Sequence, residues 1–229
     1  GTLAGGQSVI AGTPFGNAGT YALADAHTLV AGDFDTVGLG HVGLAVTQPG
    51  SNQISTLYGN GNGTFNTMAP ILLGNGPTAL AVADFDATGD FSSDLAVGNF
   101  ASNDVYVVPS DGLGNFPLSN GPYAAGTGPT AAVAAAFDGN GPGLAVANKS
   151  SDNVTIFLND TTGVLTSHRT HLVGNSPVAI ATGDFNGDPF PDLVVVNEID
   201  NTITVMLLNS DSDPLVPFST YAVGASPSA

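Results

Sequence analysis

Cysteine and tryptophan are absent from this chain of 229 residues. Without cysteine there are no disulfides and no thiol chemistry. Basic residues are nearly absent too: Lys149 and Arg169 stand against 19 acids, for a formal net charge of −17. That balance excludes nucleic acid and anionic lipid as partners. No apolar run approaches the roughly 18 residues of a membrane span, so membrane insertion is not expected. No signal peptide opens the sequence, which is expected to be a mature chain or a piece of one. Glutamate is scarce as well, Glu198 being the single copy. Acid supplied as Asp favours turns and metal loops, whereas Glu favours helices.

What the chain does have is 31 Gly, 15 Pro and 42% apolar residues. The apolar share is too high for disorder, and the length suffices for one sizeable core. An all-β, turn-rich fold follows. A secreted domain without disulfides needs another staple, and a bound metal is one.

A ruler runs along the sequence as Gly-x-[Gly/Ser]-Pro. Its prolines, Pro77, Pro129, Pro177 and Pro227, lie 52, 48 and 50 residues apart. A period near fifty with four β-segments per repeat points to propeller blades. Each repeat opens on a small-residue strand, such as Thr78-Ala-Leu-Ala-Val-Ala or Thr130-Ala-Ala-Val-Ala-Ala. An acidic loop follows, carrying Phe34, Phe85, Phe137 or Phe185, which read as packing between blades. Next come a Leu-Ala-Val strand, a polar turn, a β-branched strand, and a Gly/Asn/Asp turn into the outer strand. The repeats span 27–76, 77–128, 129–176 and 177–226. Residues 1–26 read as a partial blade, with Ser8-Val-Ile-Ala and Thr20-Tyr-Ala-Leu as its strands. The expected fold is thus about four full four-stranded antiparallel blades plus a partial N-terminal one, as an open arc or part of a larger ring.

The most regular acidic loop is Asp184-Phe185-Asn186-Gly187-Asp188-Pro189-Phe190-Pro191-Asp192. Oxygen-bearing side chains fall at its first, third, fifth and ninth positions. A short loop with that spacing can wrap them around one point, and Ca²⁺ takes about six to eight oxygens there. Read alone, the stretch is equally a polar hairpin turn whose acids face water. Its repetition favours the metal.

Gly183-Asp-Phe-Asn-Gly-Asp-x-x-x-Asp-Leu193, its weaker copies, the fifty-residue period and the joint together resemble the FG-GAP/VCBS repeat family. These are the repeats of integrin α-subunit propellers and of many secreted bacterial proteins. The likeness runs from His27 onward. It implies Ca²⁺ in the loops between first and second strands. By that resemblance Asp184, Asn186, Asp188 and Asp192 supply side-chain oxygens and Phe190 its backbone carbonyl. The second loop is two residues longer; Asp84, Asp86, Asp90 and Asp94 are its matching ligands, with Thr88 the alternative at the fifth position when counting forward. In the first loop Leu39 and Gly43 replace the later acids, and in the third Ala136 and Gly143 replace the first and last. No Ca²⁺ is expected in either, and Asp33 with Asp35 reads as a hydrated turn.

No catalytic set emerges. His168 and His171 have a spacing that suits a helix face, yet they fall in a strand-edge segment with no Cys or Glu beside them. There is no nucleophile elbow. The expectation is a non-enzymatic, extracellular or cell-surface domain for adhesion or structure. A carbohydrate-binding lectin and an accessory domain of a secreted hydrolase are the alternatives. Partners would be other proteins or glycans at the cell surface, or further copies meeting at exposed blade edges.

Overall fold

Apart from Ile71–Leu72, which pairs with Gln53–Gly59, the strands of the main body pair antiparallel with their neighbours in sequence, so the chain folds as a row of meanders. The computed structural model describes residues 2–3, 7–8, 19–35, 41–86, 91–117, 119–139, 141–160, 162–208 and 216–228. Blade one comprises Leu29–Gly32, Gly43–Gln48, Gln53–Gly59 and Phe65–Thr67, with Ile71–Leu72 continuing its outer edge. Blade two comprises Pro77–Ala83, Asp94–Asn99, Asp104–Val108 and Asn120–Ala124. Blade three comprises Pro129–Ala135, Gly143–Asn148, Asn153–Asn159 and Leu165–Leu172. Blade four comprises Pro177–Gly183, Asp192–Asn197, Thr202–Leu207 and Val216–Ala222. Thr2–Leu3 and Gln7–Ser8 form a separate two-stranded hairpin.

The expected strand at Thr20-Tyr-Ala-Leu is not formed; residues 20–23 run as irregular chain. Tyr21 is instead held by blade one. The Phe65 N–H donates to its hydroxyl at 2.7 Å, and the two rings meet edge to face at 5.7 Å. Of the other expected strand only Ser8 lies within the described residues.

Side chains alternate across each strand, so every blade has a face toward the preceding blade and one toward the following blade. We call these rear and forward. The second strands of blades two and three are buried on both, which suits their unbroken apolar sequence; Asp94–Asn99 and Gly143–Asn148 are buried throughout. The core therefore consists of three layers between blades. Phe34, Ala45 and Ile54 of blade one meet Leu80, Leu95, Val97 and Val108 of blade two. Phe85, Ala96 and Val105 of blade two meet Leu144, Val146 and Phe157 of blade three. Phe137, Ala145 and Val154 of blade three meet Leu193, Val195 and Met206 of blade four. Alanine at the central forward position lets the sheets approach. Each fully buried Leu, Val or Phe contributes about 1.5–3 kcal/mol.

Two polar devices fix one blade to the next. On the inner strands, the Thr28 hydroxyl donates to the Thr78 carbonyl at 2.6 Å, Thr78 to Pro129 at 2.6 Å and Thr130 to Pro177 at 3.0 Å. At the joints, a side-chain oxygen from the polar turn accepts the N–H just before the ruler proline. Asn52 holds Gly76, Asn103 holds Gly128, Asp152 holds Ser176 and Asn201 holds Ser226, at 2.6–2.8 Å. The four turn residues share φ of 54–60°. Asn and Asp tolerate that left-handed conformation better than other side chains, which is why the turn uses them.

Candidate metal centre

The loop joining the first two strands of blade two brings acids together. Carboxylate oxygens of Asp84, Asp86 and Asp94 all lie within 4.8 Å of one another, the one such group of three among the described residues. Asp94 opens the second strand and is fully buried. Its Oδ2 accepts the Phe85 N–H at 2.7 Å and the Asp86 N–H at 3.2 Å, and its Oδ1 accepts the Ser110 N–H at 2.9 Å. Asp94 thus ties the loop's start to the end of the third strand. Burial pushes its carboxyl up to about 6 and the charge of Asp86 adds to the rise, while the bonds from Ser110, Phe85 and Asp86 oppose it. Three hard oxygen donors, one of them buried and reluctant to ionise alone, fit Ca²⁺ by donor chemistry. Asp90 and Thr88 lie outside the described residues.

Blade three packs against this loop. Phe85 is sealed between the two blades, and the Asn159 side-chain amide donates to its carbonyl. The hairpin ahead of blade three's outer strand lies over Asp86. A Cβ on Gly163 would stand 3.3 Å from the Cβ of Asp86, and Asn120 donates to the Gly163 carbonyl at 3.1 Å. Asn159 and Gly163 escaped the sequence reading. The signal that marks them is the recurrent Gly/Asn/Asp turn before each outer strand.

The loop of blade four is built differently. Asp192 repeats the tie made by Asp94: Oδ2 accepts from Phe185 at 2.8 Å and Oδ1 from Leu208 at 2.9 Å. The remaining polar side chains turn onto their own backbone. Asp184 Oδ1 accepts the N–H groups of Asn186 and Gly187, Asn186 Oδ1 that of Asp188, and Asp188 Oδ1 that of Phe190, at 2.7–3.2 Å. Asn186 also donates to Asp188 Oδ2 at 2.7 Å. The Phe190 ring packs against the layer between blades three and four. Asp184, Asp188 and Asp192 are not gathered as Asp84, Asp86 and Asp94 are.

Asp33 and Asp35, expected as a hydrated turn, are half-buried. One oxygen of each is buried without a hydrogen-bond partner among the described residues. Blade two covers them: Asp35 bridges to Leu113, and the Ser110 hydroxyl donates to the Phe34 carbonyl at 2.7 Å. Neighbouring Tyr58 is pushed up to about 12 by burial and by the charges of Asp111 and Asp35. In the third loop Phe137 is buried, and Asn140 lies outside the described residues.

No family model matches the chain, and no curated protein does. Solved structures do match. A functionally unknown protein from Desulfotomaculum acetoxidans aligns at 13% identity and a TM-score of 0.64, over 89% of this chain and 58% of that one. BBS1N, solved in complex with ARL6DN, aligns at 17% and 0.57, over 92% and 60%. A protein from Lactobacillus plantarum aligns at 16% and 0.55, over 89% and 56%. The chain therefore spans a little over half the length of these structures. Identities this low carry the fold alone, and the fold is that of antiparallel β-propeller blades.

Proposed function

We propose that this chain is a non-catalytic Ca²⁺-binding region of a secreted or cell-surface β-propeller, serving adhesion or extracellular structure and assembly. The observation that carries the reading is the convergence of Asp84, Asp86 and Asp94 at a blade junction. Three carboxylates at that spacing repel one another, and a divalent cation turns the repulsion into attraction. Binding free energy then adds to folding stability by linkage. Mg²⁺ fits less well, because it keeps its waters. The acidic composition and the repeat likeness support an extracellular setting. Among the described residues no helix is long and apolar enough to cross a membrane. Proteins or glycans are the proposed partners; BBS1N, of similar fold, is solved in complex with ARL6DN, which supports a protein partner.

The test is calorimetric titration of Ca²⁺ into chelator-treated protein, with melting curves alongside. Saturable heat and a higher melting temperature are expected, with weaker binding and a smaller rise in Asp86→Asn. Absence of heat and an unchanged melt would reject the reading.

A further inference from the structure

An asparagine side chain deamidates when the backbone nitrogen of the next residue attacks its carbonyl carbon. The attacking N–H and the departing side-chain nitrogen must both be free, and donors on the carbonyl oxygen stabilise the charge it takes on in between. Glycine obstructs the attack least, having no side chain. The chain has six Asn-Gly pairs, five of them within the described residues. In four of those five a reacting group is tied. The Gly76 N–H after Asn75 donates to Asn52 Oδ1 at 2.8 Å, and the Gly187 N–H after Asn186 donates to Asp184 Oδ1 at 2.7 Å. The departing nitrogens of Asn60 and Asn120 are held instead. Nδ2 of Asn60 donates to Thr64 Oγ1 at 2.9 Å, and that of Asn120 to the Gly163 carbonyl at 3.1 Å.

Asn62-Gly63 differs on each count. It forms the exposed tip of the hairpin between Gln53–Gly59 and Phe65–Thr67 of blade one. Neither Asn62 Nδ2 nor the Gly63 N–H makes a hydrogen bond among the described residues. Asn62 Oδ1 accepts two, from the Thr64 N–H at 3.0 Å and the Thr64 hydroxyl at 2.7 Å. That hydroxyl itself accepts from Asn60 Nδ2, which makes it the stronger donor. The Asn60 N–H closes the hairpin onto the Thr64 carbonyl at 2.8 Å, and the His41 ring packs on Gly61, so the donors stay aimed.

We propose that Asn62 is a site of spontaneous chemical modification, activated by Thr64. The Gly63 nitrogen attacks Asn62 Cγ: the N–Cγ bond forms and the Cγ–Nδ2 bond breaks. Ammonia leaves with the proton given up by the Gly63 nitrogen. The cyclic imide then takes up one water, which opens it at either carbonyl to leave aspartate or isoaspartate. No oxidation or reduction is involved. Each event adds a negative charge to the tip, and isoaspartate puts an extra carbon into the hairpin backbone. Neither the metal loops nor the faces between blades take part.

The experiment is incubation of the whole folded chain in mildly alkaline buffer, followed by peptide mass mapping and labelling with an isoaspartate-specific methyltransferase. Asn62 should convert about tenfold faster than Asn60, Asn75, Asn120 or Asn186, the effect of having no hydrogen bond to break before attack. In denaturant the five rates should converge. Thr64→Val keeps the backbone N–H and the side-chain shape but removes the hydroxyl, and circular dichroism checks its fold. Activation predicts severalfold slower conversion of Asn62 in Thr64→Val and recovery in Thr64→Ser. A hydroxyl that merely restrained the side chain would give the opposite sign. An Asn62 that stays intact, or converts no faster than the other four, overturns the proposal. So does a lead that persists undiminished in denaturant, or a Thr64→Val rate at or above that of the wild type.

Discussion

The loops of blades two and four carry nearly the same acids and arrange them differently. In 84–94 the carboxylates of Asp84, Asp86 and Asp94 converge; in 184–192 Asp184, Asn186 and Asp188 accept N–H groups of their own loop. Their sequences rank them the other way, since 184–192 is the more regular. The difference lies in what stands next to each loop. Phe85 is locked under blade three, and Asn159 holds its carbonyl; Phe185 faces an open groove. A motif supplies the ligands, but the following blade sets their geometry.

The sharpest way to break this comparison is through the phenylalanines. Phe85→Ala empties a filled layer and is expected to cost about 3–5 kcal/mol, whereas Phe185→Ala is expected to cost below about 1 kcal/mol. Denaturant unfolding measures both, and equal losses would remove the role given to the neighbouring blade. The last acid offers the opposite control. Asp94→Ala and Asp192→Ala each leave buried N–H groups without an acceptor, so both should lose about 3 kcal/mol. A mild Asp192→Ala would show that the tie seen in both loops matters in only one.

Ca²⁺ affinity sharpens the contrast further. Asp86→Asn should weaken the tightest site by about tenfold, or about 1.4 kcal/mol, and Asp188→Asn should leave that site unchanged. Luminescence of a lanthanide probe follows the two loops separately, and reversed effects would transfer the site to blade four. The smallest effect is on pH. In chelator the Asp94 carboxyl titrates at about 6, above its unfolded value of 3.8. Its contribution to stability is then complete below the unfolded value and is lost as the pH rises through 6. Metal-free protein should therefore melt higher at low than at neutral pH, and saturating Ca²⁺ should reverse that order. The difference between wild type and Asp94→Asn isolates the term, and a flat difference contradicts it.

Much of the fold was legible because it is periodic. Pro77, Pro129 and Pro177 mark the starts of inner strands, and the Leu-Ala-Val runs mark the buried second strands. The inter-blade role of Phe34, Phe85 and Phe137 could be read from their recurrence. What escaped was whatever depends on a partner far along the chain. Asn159 lies 74 residues from the carbonyl it holds, and no local spacing announces it. The exposure of Phe185 has the same origin, since its own sequence context matches that of its buried counterparts. The buried oxygens of the half-buried Asp33 and Asp35 escaped because their cover comes from blade two.

The left-handed turns that hold each joint also bear on how the molecule is made. Asn52, Asn103, Asp152 and Asn201 each catch a backbone group only 24 or 25 residues downstream. A nascent chain thus needs just half a repeat beyond such a turn before the launch angle of the following sheet is set. Synthesis from the N-terminus lays down each repeat on a finished template, and errors in stacking order are suppressed as the polypeptide emerges.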